Sequence, residues 1–242
     1  MDQITEAAKD VFKRAKEQAS SMESEQSGTG KAIELCKYCG KFNAPCPTES
    51  CRNKARFDSK PLKALKGVLV PPLYIESFKR TFTGINLDAQ NIAEQAEHGG
   101  IFLHGATGTG KTTLATSIFT SRIPKTIGKT MGSRWSTMTG ILSDIRDTYN
   151  SGANKTENDV IKEYSDFPLL LIDDLGAEKI TDWSISALYS ILSTRINYMR
   201  YTIVTSNLDL KDIHDWNPRI ASRLAGLQVH KMAGSDRRIN GQ

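Results

Sequence analysis

Residues Gly105 to Thr112 read G-A-T-G-T-G-K-T, which fills the pattern G-x-x-x-x-G-K-[ST] in full. Glycines let the backbone curl until successive N–H groups point at one anion. The helix-like "TTLATSIF" that follows would add the partial positive charge of a helix N-terminus. A lysine at the sixth step reaches the β- and γ-phosphates of a nucleoside triphosphate, and the next hydroxyl ligates Mg2+. The expected nucleotide-binding residues are therefore Gly105, Thr107, Gly108, Thr109, Gly110, Lys111, Thr112 and Thr113, with Thr112 also a magnesium ligand. No N-K-x-D pattern for reading guanine occurs, so ATP is favoured over GTP.

A phosphate cradle alone does not hydrolyse anything. The stretch "LLLIDDLG" from Leu169 supplies carboxylates at the end of an apolar run. Asp173 is placed to hold magnesium through water, and Asp174 to orient or deprotonate an attacking water. A third run, "YTIVTSNL", ends in Asn207, whose amide is able to place that water against the γ-phosphate. Lys111, Asp173, Asp174 and Asn207 are the catalytic candidates on these grounds.

These residues need a scaffold that delivers them to one edge. "IFLH", "LLLIDD" and "YTIVTSN" are short buried runs, each followed by a turn or helix signal. Such alternation predicts an α/β fold with a parallel sheet covered by helices on both faces. Ligands of such sheets sit outside the C-terminal ends of the strands. Ahead of this larger domain, expected over 67–242, the paired prolines of "GVLVPPLYIESF" interrupt regular structure. Residues 1–20 carry Ile4, Ala8, Val11, Phe12 and Ala15 at helical spacing and predict an amphipathic helix. Residues 21–66 read as a linker followed by a cysteine-bearing module.

All four cysteines lie in that module, as Cys36-x2-Cys39 and Cys46-x4-Cys51. Four thiolates within sixteen residues suit a closed tetrahedral Zn2+ site, against the alternative of unliganded cysteines in a loop. The formal net charge of +5 is concentrated nearby: Lys31 to Lys66 holds nine basic and three acidic residues. A focused basic patch suits a phosphate backbone, and equally suits a solvated linker. No apolar run approaches the roughly 18 residues needed to cross a bilayer, and the N-terminus lacks the apolar core of a secretory signal. The expectation is a cytoplasmic protein without membrane association.

Taken in order, "GATGTGKTT", "LLLIDDLGAE", "TIVTSN", "RIASRL" and "GSDRR" resemble the AAA+ ATPases, in particular the helicase-loader and transposition-helper branch of DnaC/DnaI and IstB type. The resemblance spans about Leu69 to Arg238. It implies that Asn207 is the first sensor. It also implies that Arg223 is the arginine finger reaching a neighbouring subunit's γ-phosphate, with Arg219 the second candidate. Arg238 corresponds to the second-sensor arginine, with Arg237 the alternate. Arginine suits such roles because its planar fork meets two phosphate oxygens and keeps its charge. The chain departs from the usual pattern at Asp174, where most AAA+ proteins carry Glu, and only four residues follow Arg238. A reduced C-terminal lid and ATP hydrolysis that is weak or partner-stimulated are expected.

The function implied is an ATP-dependent helicase loader in DNA replication, in a bacterium or in the bacterial host of a phage. It would self-associate through the ATP site. It would bind a hexameric replicative DNA helicase through the N-terminal module, as loaders of the DnaI kind do. Single-stranded DNA would be met by "SRIPKTIGKTMGSR", where Arg122, Lys125, Lys129 and Arg134 stand without an acid. An IstB-like transposition helper is the alternative. A small-molecule kinase is less favoured, because no arginine-rich lid is evident and "RIASRL" would have no work to do.

Overall fold

The computed structural model describes residues 36, 47–75, 96, 99–127, 131–177, 181–234 and 236. The chain divides into two units, Met1–Cys46 and Pro47–Gln242. The expected helix over 1–20 lies outside the described residues, and of the first unit only Cys36 falls within them.

The second unit is built on five strands: β1 (Gly100–Gly105), β2 (Ser133–Thr137), β3 (Leu169–Leu175), β4 (Tyr201–Ser206) and β5 (Gln228–Met232). They pair in the order β2-β3-β4-β1-β5, and every pairing is parallel. The interior strands are those that read as continuous apolar runs. Ile101, Phe102 and Leu103 of β1 and Leu170, Leu171 and Ile172 of β3 are fully buried, as parallel strands covered on both faces must be. The edge strands β2 and β5 are instead half-exposed in alternation.

Successive side chains point to opposite faces, so each strand divides its apolar residues between two cores. On one face Phe102, Leu170, Ile172 and Val204 pack beneath α4 (Met138–Arg146), α5 (Glu157–Asp166), α6 (Asp182–Asn197), α7 (Leu210–Trp216) and α8 (Pro218–Ala225). On the other face Ile101, Leu103, Leu169, Leu171 and Ile203 pack beneath α1 (Glu49–Ser59), α2 (Pro61–Gly67) and α3 (Lys111–Arg122). The expected division at 66/67 falls inside this unit. Phe57 and Leu65 belong to the second core, and Asn53 Nδ2 donates to the Ile127 carbonyl at 3.1 Å. Ahead of the paired prolines, the Val68 carbonyl accepts from the Trp135 N–H of edge strand β2 at 3.0 Å.

Capping sets where the helices begin. Thr137 ends β2 and accepts from the Gly140 N–H, so α4 starts without a loop. Asp209 caps α7 in a reciprocal box with Asp212. Only Asn207 and Leu208 therefore separate β4 from that cap, which pins the loop carrying Asn207. Among the described residues no helix follows β5, and none is long and apolar enough to cross a membrane.

At the other end of the sheet, Arg195 of α6 is wholly buried. Its Nη1 donates to the carbonyls of Tyr164, Ser165 and Phe167, Nη2 to Tyr201, and Nε to Thr202 Oγ1. The first three carbonyls end α5, where a helix has acceptors without intrahelical donors. Burial, then the neighbouring Arg200, pulls the guanidinium pKa down to about 9, with Asp166 opposing. It stays charged at neutral pH. Replacing Arg195 with Met removes the donor from the Tyr164, Phe167 and Tyr201 carbonyls, while Ser165 keeps a donor in Arg200, and should lower stability by about 3 kcal/mol or more. Urea unfolding of the variant checks this; a midpoint unchanged from wild type would deny Arg195 that role.

Candidate nucleotide-binding site

β1 stops at Gly105, and α3 begins at Lys111 after a loop whose turns need glycine. Gly108 and Gly110 have φ of 75° and 90°, in the left-handed region. At Gly105 a Cβ would lie 2.3 Å from the Met232 carbonyl of β5, so only glycine allows the strands to pair there. At Gly108 a Cβ would overlap the Asp236 carboxylate, so Asp236 lies against the loop. Arg237 and Arg238 themselves lie outside the described residues.

Lys111 is buried. Its Nζ donates to the Gly105 carbonyl at 2.9 Å, the Ala106 carbonyl at 2.8 Å and Asn207 Oδ1 at 2.8 Å. Asn207 Nδ2 in turn donates to Asp174 Oδ1 at 3.2 Å. Strand order explains this line of contacts. β4 lies between β1 and β3, so the residue just beyond its end reaches the lysine on one side and the acid on the other.

The two acids face different surroundings. Asp173 is buried and accepts a hydrogen bond from the Thr205 hydroxyl at 2.6 Å, with the Thr112 hydroxyl close by. Burial raises its pKa above the ordinary carboxylate value, while the Thr205 and Thr112 hydrogen bonds act against the shift. Asp174 is exposed, holds a left-handed φ of 60°, and donates its N–H to Thr205 Oγ1 at 2.9 Å. The structure thus brings Lys111, Thr112, Asp173, Asp174 and Asn207 together. Sequence reasoning passed over Thr205, since a threonine inside a strand is an ordinary β-former.

Arg223 belongs to a second cluster, on α6 and α8. Its Nη2 donates to the Tyr189 hydroxyl at 3.3 Å, and Arg219, one turn earlier, stacks over the Tyr189 ring at 4.0 Å. The two arginines that could not be separated by sequence share one aromatic anchor. Tyr189 was not anticipated; its only signal was an aromatic on the helix that α8 packs against.

The basic stretch is less available than its composition implied. Arg122 lies 3.5 Å over the Tyr201 ring and donates to the Ala96 carbonyl, while Arg134 pairs with Asp144 at 3.4 Å. Lys125 is exposed, and Lys129 lies outside the described residues. Cys36 and Cys51 are both buried and no disulfide joins them; Cys39 and Cys46 lie outside the described residues. Among the described residues no group of three or more His, Cys, Asp or Glu could hold a metal ion.

Residues 85–230, more than half of the chain, match the family described as IstB-like ATP binding protein. The chain belongs to this family. The IstB-like family is one of AAA+ ATP-binding proteins, and its members are ATPases. The replicative helicase loader DnaC of Buchnera aphidicola subsp. Baizongia pistaciae (strain Bp) is 30% identical over 109 residues, covering 45% of this chain and 43% of that protein. The fold is similar to domain III of the Thermotoga maritima replication initiation protein DnaA (TM-score 0.52, 19% identity, 72% of this chain and 68% of that one). It is also similar to AMPPCP-bound DnaA from Aquifex aeolicus (TM-score 0.50, 18% identity, 72% and 51%). The chain thus spans less than half the length of the curated relative it matches.

The Tyr189 cluster has a direct optical signature. Hydrogen bonds from Arg223, then Arg219, then Ser193 lower the phenol pKa from 10.0 to about 8. Phenolate absorbance should therefore show one tyrosine ionising near pH 8, ahead of the rest. Tyr189→Phe should remove that step, and Arg223→Ala should move it upward. A titration in which Tyr189→Phe leaves the first step in place would show that the arginines do not hold this ring.

Proposed function

We propose that this protein is an ATP-dependent helicase loader, a switch whose ATP site is completed by a second copy. The observation that carries the reading is the hydrogen-bonded line from Lys111 through Asn207 to Asp174, which joins the phosphate loop to a carboxylate through a single amide. Left-handed glycines, a buried lysine and a helix N-terminus fit a triphosphate. Thr112 and Asp173 are hard oxygen donors side by side, which fits Mg2+.

In this reading Lys111 binds the β- and γ-phosphates. Thr112 and Asp173 would hold magnesium, the threonine through its hydroxyl and the acid through water. Asp174 orients or deprotonates the attacking water, and Asn207 places it. Arg223, with Arg219 beside it on Tyr189, reaches the γ-phosphate held by a neighbouring copy. Arg238, or Arg237, acts as the second sensor. Magnesium supplies charge neutralisation between the phosphates when bound. The cysteine cluster is read as a structural zinc site, supported by its spacing alone.

The partners proposed are a hexameric replicative helicase and single-stranded DNA, supported by the 30% identity to a replicative helicase loader. The second reading is a transposition helper, favoured by the family match itself. Co-purification separates them. Helicase retained with ATP and lost without it supports the loader; a transposase retained instead supports the helper; neither retained removes both.

Two further outcomes follow from the site. Lys111→Ala should weaken ATP binding about tenfold or more, the cost of a charged hydrogen bond. Asp174→Asn should leave ATP affinity near wild type while lowering partner-stimulated hydrolysis by about a hundredfold or more. Fluorescent-nucleotide titration and phosphate release measure the two. Single-stranded DNA affinity should fall roughly tenfold or more between about 50 and about 200 mM salt. An unchanged affinity would remove phosphate contacts from the proposal.

A further inference from the structure

β3 and β4 pair in regular register from Leu169 opposite Tyr201 to Ile172 opposite Val204. The register then shifts, so that Leu175 stands opposite Ser206. Two residues of β3, Asp173 and Asp174, therefore face one residue of β4, Thr205. This is a β-bulge, and a bulge leaves the extra residue outside the ladder of hydrogen bonds. Thr205 repairs that loss with its side chain. Its hydroxyl accepts the Asp174 N–H at 2.9 Å and donates to Asp173 Oδ1 at 2.6 Å. The hydroxyl is deeply buried, so water does not readily compete for either bond.

The consequence is directional. On a regular strand the side chains of Asp173 and Asp174 would simply alternate across the sheet. Here Asp173 stays inward, against Thr112 and Thr205, while Asp174 turns out in a left-handed conformation to meet Asn207. A non-glycine residue at this φ is strained and persists only where its surroundings fix it. One oxygen atom, Thr205 Oγ1, touches both the carboxylate of the first acid and the main chain of the second.

We propose that Thr205 is a positioning residue for the ATPase reaction, holding the metal-side acid and the water-side acid at one fixed spacing. The inference rests on the ATPase reading above. It adds that the spacing of the two acids is set from the neighbouring strand rather than by the acids themselves.

The test uses the full-length protein and three variants. Thr205→Val keeps the shape of the side chain and removes both hydrogen bonds, and Thr205→Ser keeps the hydroxyl. Thr205→Ala takes the place of the valine variant should the latter fail to fold. Turnover at saturating ATP should fall by about tenfold or more in Thr205→Val, as for other groups that orient a metal ligand. The Mn2+ concentration for half-saturation, read by electron paramagnetic resonance with a non-hydrolysable ATP analogue, should rise several-fold. Binding of fluorescent ATP in EDTA should stay within about twofold of wild type, because the glycine loop and Lys111 are untouched. Thr205→Ser should recover most of both losses. The proposal is overturned if Thr205→Val matches wild type in turnover and metal requirement, or if Thr205→Ser is as impaired as Thr205→Val. Equal loss of metal-free ATP binding would also overturn it, showing a structural role only. Wild-type protein that binds no ATP would instead remove the ATPase reading, and this inference with it.

Discussion

A parallel sheet buried on both faces has one place for polar chemistry, the edge where its strands end. Everything in the candidate nucleotide site depends on that constraint. Leu170, Leu171 and Ile172 leave no room for a charge along β3, and the acids appear only where the strand leaves the core. The same holds for β1, where the buried Ile101, Phe102 and Leu103 give way to the glycine loop. Strand order then decides which ends are neighbours. With β4 between β1 and β3, a single amide at Asn207 meets both the buried Lys111 and the exposed acid.

Precision at this edge is maintained by few atoms. Asp173 is held above its ordinary pKa by burial, and hydroxyls rather than cations lead the opposition to that shift. Asp174 sits in a conformation that its own backbone disfavours. Both are met by Thr205 from the adjacent strand. At the far end Arg195 closes the carbonyls of α5 and ties α6 to β4. The sheet is thus secured by buried polar contacts at both ends and by two apolar cores between them.

The Tyr189 cluster differs in character. It lies on helices, its phenol is accessible, and its two arginines are held by one ring rather than by carboxylates. Guanidiniums stacked on an aromatic keep their charge and donors for another anion.

Much of this was legible in the chain itself. The glycine loop, the lysine, the two acids and the amide were each placed correctly at strand ends, because runs such as "LLLIDD" and "YTIVTSN" carry their own burial pattern. Period and local turn chemistry are properties of neighbouring residues, so the sequence states them. The order of the strands, the bulge opposite Thr205, the shared ring beneath Arg219 and Arg223, and the buried Arg195 are not of that kind. Each depends on residues far apart in the chain meeting in space, such as Asp174 and Thr205 or Gly100 of β1 opposite Thr202 of β4, and no local spacing encodes such a meeting. Composition likewise suggested four available cations around Lys125, whereas packing against Tyr201 and Asp144 engaged Arg122 and Arg134. The chain by itself determined which chemistry is present; only the tertiary structure decided which groups touch, because contact is set by how two apolar faces close over one sheet.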